Sequence, residues 1–144
     1  MKNKNFYKKI AINIANIADS KKARDIFIYD IENKNPLFYF AILLTAESLP
    51  HMRAIEEEIS IKMKKDDLYI SHRDGINSNQ WKVLDYDGVI VHIFEERMRE
   101  FYALDKVYSQ TKKINWNKDI SKERNSSKDG NKKIRKSNKR TAKR

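Results

Sequence analysis

Trp81-Lys82-Val83-Leu84-Asp85-Tyr86-Asp87-Gly88-Val89-Ile90-Val91-His92-Ile93-Phe94 runs directly into Glu95-Glu96-Arg97-Met98-Arg99-Glu100-Phe101-Tyr102-Ala103-Leu104-Asp105-Lys106-Val107-Tyr108. Two apolar runs flank Asp87-Gly88, a pair that tolerates the positive φ of a two-residue type I′ turn, so the first half reads as a β-hairpin. On its second strand Val89, Val91 and Ile93 share one face and Ile90, His92 and Phe94 the other. Both faces are apolar, which places the strand inside a sheet. The second half opens with Glu95 and Glu96, favourable near a helix N-terminus, and spaces Phe101, Leu104 and Tyr108 as a buried stripe.

Working outward, Phe6, Ile10, Ile14 and Ile17 recur at three- to four-residue spacing and predict a first amphipathic helix ending near Asp19-Ser20. Residues 25–31 are β-branched and aromatic, and 37–44 are almost continuously apolar; they read as a strand and a fully buried strand joined by the turn at Asn33 to Pro36. Ser48 is placed to cap a second helix whose stripe is Met52, Ile55, Ile59 and Met63. The consecutive Glu56, Glu57 and Glu58 point in three directions and read as a solvated face rather than a metal site. Residues 68–71 read as a short strand and 73–79 as a loop. The sum is an α/β fold: one domain with a mixed five-stranded sheet and three helices.

Charge divides the chain. Residues 1–110 hold 17 Lys+Arg and 17 Asp+Glu, whereas 111–144 hold 14 and 3, so the net charge of +11 belongs to the end of the chain. That end carries almost no large apolar residue after Trp116. The expected organisation is therefore a globular domain over 1–110 and a basic, disordered tail over 111–144. Lys132, Lys133, Arg135, Lys136, Lys139 and Arg140 are its densest cations, suited to weak, salt-sensitive RNA binding. The lack of cysteine excludes disulfides and thiolate chemistry. No apolar run reaches the roughly 20 residues of a membrane span, so a cytoplasmic protein without a membrane partner is expected.

The order Trp81, Asp85-Tyr86, Val89-x-Val91-His92-Ile93-Phe94, then Arg99-x-Phe101-Tyr102-x-Leu104-Asp105 resembles the signature of the ribosomal silencing factor, or Iojap-like, family. The likeness reaches back to Lys22-Ala23-x-Asp25-Ile26 and includes Asp74-Gly75. It implies a small nucleotidyltransferase-like domain without catalytic equipment. Such a factor binds the large ribosomal subunit through its universal protein fourteen, obstructs joining of the small subunit and represses translation. It also implies a homodimer when free and a partner-binding surface built from the last strands and third helix: Trp81, Asp85, Tyr86, Arg99 and Tyr102. This chain departs from the family pattern at Phe38-Tyr39, at Thr45-Ala46-Glu47-Ser48-Leu49-Pro50, and at Asp87-Gly88, where the usual Gly-Asp order is inverted.

Two readings from other classes stand beside it. Asp85 and Asp87, two apart on a strand, could share a divalent cation in a metal-dependent nucleotidyltransferase, although Asp87 reads better as turn. A tail-driven RNA-binding protein is the other. His92 reads as a core histidine satisfied by one hydrogen bond rather than a general base, since no nucleophile accompanies it. Trp81 fits both a core anchor and a partner-facing group. Arg99 stands four residues from Glu95, the spacing of an intrahelical pair. No cofactor or metal is expected.

Overall fold

The computed structural model describes residues 2–75, 78 and 80–117. Helix α1, Lys4–Ser20, begins where the Asn3 side chain accepts the Phe6 N–H and buries Tyr7, Ile10, Ile14 and Ile17. Strand β1, Arg24–Asp30, turns back into β2, Phe40–Ala46, which is buried throughout. Helix α2, Leu49–Lys65, is capped by Ser48 Oγ accepting the His51 N–H. Its expected stripe of Met52, Ile55, Ile59 and Met63 is fully inside, each side chain contributing about 2 kcal/mol of apolar burial. There follow β3 (His72–Asp74), β4 (Trp81–Asp85), β5 (Val89–Glu95), α3 (Glu96–Tyr102), α4 (Leu104–Val107) and β6 (Lys112–Ile114).

The strands form one mixed sheet in the order β3-β4-β5-β2-β1-β6. β2 and β5, at its centre, are the parallel pair; the other neighbours are antiparallel. Helices α1 and α2 cover one face and enclose the main core. The opposite face carries a second cluster built on Tyr29, Leu43 and Phe94, against which Trp81, Met98, Leu104 and Tyr108 pack. Among the described residues, only the short α3 and α4 cover this second face, and only in part.

Among the described residues the architecture is thus the expected mixed α/β sheet, with six strands instead of five and four helices instead of three. The added strand moves the domain boundary. Lys112–Ile114 pairs with β1, Ile114 enters the main core, and the Trp116 indole N–H donates to the Ile26 carbonyl at 2.9 Å. A domain ending at residue 110 would leave the β1 edge and this carbonyl unpaired; the folded unit extends through Trp116. The remainder of the expected tail, 118–144, lies outside the described residues.

Three local readings also change. The strand expected at 68–71 forms instead at 72–74, because Leu68 and Ile70 pack over the main core while pairing with β4 starts at His72. Asp87 has positive φ (67°) but Gly88 does not, so the hairpin lacks the two left-handed residues of a type I′ turn. Gly88 is required for space: a Cβ there would sit 2.5 Å from the Tyr7 ring. Lastly, Glu56 is no solvated carboxylate, since it lies 3.1 Å from Arg73 Nε and 3.5 Å from the buried Lys82 ammonium.

Candidate protein-docking site

The half-covered sheet face concentrates aromatic groups. Strand alternation turns Trp81, Val83 and Asp85 of β4 toward it, and the register sets Trp81 against Phe94 and Val83 against His92. Trp81 stacks on Phe94 with centroids 5.0 Å apart and meets Tyr102 of α3 at 4.6 Å. Tyr102 in turn takes Phe101 edge-on at 5.0 Å. The array His92, Trp81, Tyr102, Phe101 therefore runs without a gap from the sheet onto α3. Phe101 is 74% exposed and Tyr102 48%, so the array ends in apolar surface facing water. The helical spacing that predicts a buried Phe101 is overridden here.

His92 joins this array from beneath. Its Nδ1 accepts the Trp81 indole N–H at 3.1 Å, a bond that needs an unprotonated Nδ1. Burial holds its pKa down at about 4, so the ring is neutral near pH 7 and acts as an acceptor that orients Trp81. It is satisfied by one hydrogen bond, as its sequence context indicated, and its role is to fix a neighbour's orientation.

Arg99 organises the second half of the site. Its Nε and Nη2 grip the two Asp105 oxygens at 3.0 and 2.9 Å, and its Nη1 donates to the Asp25 carbonyl at 2.7 Å and to Thr45 Oγ1 at 2.9 Å. Asp105 also accepts the Tyr29 hydroxyl at 2.8 Å. Despite the desolvation it suffers, the guanidinium and hydroxyl bonds keep the Asp105 carboxyl below the usual carboxylate range, while burial and the same bond push the Tyr29 phenol well up. Asp25 stands at a β1 bulge with φ 51°, a conformation costly for a residue with a side chain. One guanidinium thus ties the bulge, β2 and α4 together.

This grip breaks the expected single helix. Ala103 adopts the left-handed conformation (φ 52°) and separates α3 from α4, allowing Asp105 to fold back onto Arg99. The break rotates Phe101 out of the stripe it would share with Leu104 and leaves it in solvent. Arg99 therefore pairs with Asp105, and Glu95 faces Arg97 at 3.4 Å instead.

The five residues expected at the partner surface divide accordingly. Trp81 and Tyr102 are brought together. Asp85 lies on the same face, but its Oδ1 accepts the Asp87 N–H at 2.8 Å, so the Asp85 carboxylate is engaged in building the hairpin turn, to which Asp87 contributes its left-handed backbone. Arg99 is nearly buried, its side chain 10% exposed, and is occupied by four bonds. Tyr86 is 4% exposed on the opposite, α1/α2 face; burial pushes its phenol up to about 12. Strand parity held that signal: Tyr86 is an odd number of residues from Trp81, so the two cannot share a face. The tail residues Lys132, Lys133, Arg135, Lys136, Lys139 and Arg140 lie outside the described residues.

The family profile described as ribosomal silencing factor during starvation matches residues 4–144, almost the whole chain. The chain belongs to the ribosomal silencing factor family. Among its relatives, ribosomal silencing factor RsfS of Bacillus subtilis is 26% identical over 90 residues, covering 62% of this chain and 76% of its own length. That of Haemophilus influenzae is 29% identical over 91 residues, 63% of this chain and 89% of its own. The chloroplastic Iojap protein of Arabidopsis thaliana is 31% identical over 107 residues, 72% of this chain but 43% of its own. A crystal structure of a Chromobacterium violaceum protein superposes with TM-score 0.65 at 25% identity, covering 73% of this chain and 85% of that one. Members of the silencing factor family carry names that denote repression at the ribosome, a regulatory role and not a reaction. Among the described residues, no helix of this silencing factor is long and apolar enough to cross a membrane.

Proposed function

We propose that this silencing factor docks on the large ribosomal subunit through its universal protein fourteen, with the array Trp81, Tyr102 and Phe101 at the centre of the contact, and so keeps the small subunit from joining. The observation that carries this reading is the exposed end of an otherwise immobilised aromatic array. Flat rings held by neighbours lose little conformational freedom on binding, and such groups dominate the energies of protein interfaces. His92 and Arg99 act as positioning residues, holding Trp81 and the α3–α4 kink from behind. A noncatalytic role accords with the Asp85 carboxylate being committed to the turn that Asp87 helps form.

The test is co-sedimentation with isolated large subunits. Phe101→Ala and Tyr102→Ala remove exposed rings and are expected to weaken binding about 30-fold each, the loss of about 2 kcal/mol typical of an interface anchor. Trp81→Ala is expected to weaken it further, though it also strips His92 of its donor, so Phe101 gives the cleaner result. Unchanged affinity in both α3 variants would remove this face from the contact.

A further inference from the structure

The start of β4 is laddered on one side only. Among the described residues β3 pairs with β4 at Val83, Leu84 and Asp85, so Trp81 and Lys82 run past the end of that ladder with β5 alone beside them. A strand end paired on one side opens more readily than one paired on both. Yet Trp81 must keep its place over Phe94 and against Tyr102 for the aromatic array to hold together.

Polar contacts behind the sheet do what a further ladder would do. Alternation turns Lys82 away from Trp81 and toward α2, where its side chain is 2% exposed. Its ammonium lies 3.5 Å from Glu56 Oε1 and donates to the Gly75 carbonyl at 3.2 Å. Glu56 Oε2 faces Arg73 Nε at 3.1 Å, so one carboxylate reaches both β3 and β4. Gly75 in turn lies against the peptide of Trp81: a Cβ there would collide with the Trp81 carbonyl oxygen, and its φ of +75° suits glycine. Ser78 Oγ accepts the Trp81 N–H at 3.2 Å. Glu56 has a rigid base, because the buried Met52, Ile55 and Ile59 flank it on α2.

From this geometry we infer that Glu56 is a positioning residue for the docking array: acting through Lys82, its carboxylate pins the unladdered end of β4 to α2 and so holds Trp81 over Phe94 and against Tyr102. Apolar contact alone has no direction and would tolerate a sliding or splayed strand end. A buried ammonium cannot leave its carboxylate without a large penalty, so the pair admits one position of the strand. The effect on docking rests on the reading proposed above; the hold on Trp81 does not.

The experiment compares the full chain with a full-length variant carrying Glu56→Leu and Lys82→Met together. Glu56→Gln alone would strand a buried cation and destabilise the whole domain, whereas replacing both partners by apolar groups of similar volume leaves stability near its natural value. Arg73, its side chain 35% exposed, can turn to water. Hydrogen exchange is followed by NMR at the Trp81 indole N–H, which His92 accepts, with the Trp116 indole N–H and the amides of β2 and β5 as references. The Trp81 indole should exchange about 10-fold faster in the paired variant while the references keep their rates. Binding to isolated large subunits should weaken by about the same factor, because affinity falls with the fraction of molecules holding the competent geometry. An unchanged Trp81 indole rate would overturn the positioning role whatever the subunit binding. A rise of equal size at the references would overturn it too, since Glu56 would then serve general stability. Faster indole exchange with undiminished subunit binding would keep the hold on Trp81 and overturn the docking reading.

Discussion

Arg99→Ala is the perturbation whose size the structure fixes best. It deletes four hydrogen bonds, two of them to the Asp105 carboxylate. Left behind are an acid holding the Tyr29 hydroxyl and its own backbone N–H, and a left-handed Asp25 whose carbonyl has lost its guanidinium. Removing one member of a buried ion pair costs about 3–5 kcal/mol. The side chains here are 10% and 32% exposed, and water reaching Asp105 reduces the cost to about 2–3 kcal/mol. In a domain of this size that is a fall in Tm of about 10 °C. Urea denaturation of Arg99→Ala, Asp105→Ala and the double variant should give a coupling energy of about 2 kcal/mol, because either single change already abolishes the grip. Arg99→Lys should recover little, since an ammonium cannot present two parallel donors. A loss below 0.5 kcal/mol, in the range typical of exposed pairs, would mean that the kink at Ala103 is held by something else.

Acid should destabilise the domain through His92. In the unfolded chain this histidine titrates near 6.5, whereas the folded protein holds it near 4. The depressed folded value means its contribution is complete above pH 6.5 and is lost as pH falls toward 4, for a total of about 3 kcal/mol. Urea midpoints across that interval should fall steeply for the natural chain and more gently for His92→Gln; parallel profiles would show that His92 accepts a proton without penalty. Asp105, held low, adds its own loss at more acid pH. Truncation after residue 110 should lower Tm well below that of a chain ending at 117, since only the longer one retains β6 and the Trp116 bond. Equal thermal stability would restore the boundary read from composition.

What was legible in the chain is what depends on local pattern. The helical stripes of α1 and α2, the Ser48 cap and the buried central strands follow from spacing and composition alone, and they fix the main core. The family signature led to Trp81 and Tyr102 at the candidate site. The rest was set by tertiary contacts that leave a faint local trace. Nothing about Ala103 announces a left-handed residue; the Arg99–Asp105 pair imposes it, and with it the exposure of Phe101. The three residues of β6 form a strand because β1 offers an unpaired edge and Ile114 a place in the core, and in sequence they look like the start of a basic tail. Tyr86 differs: the alternation that places Trp81 also places Tyr86 on the other face, and motif membership obscured it.

Subunit joining is the decisive measurement for a factor that docks on the large subunit. Isolated small and large subunits are mixed with the full chain, magnesium is raised, and formation of the joined ribosome is followed by light scattering. A stoichiometric amount of the protein should lower the joined fraction, and Phe101→Ala with Tyr102→Ala should restore it. Joining that proceeds unchanged while the protein is bound to the large subunit would contradict the account.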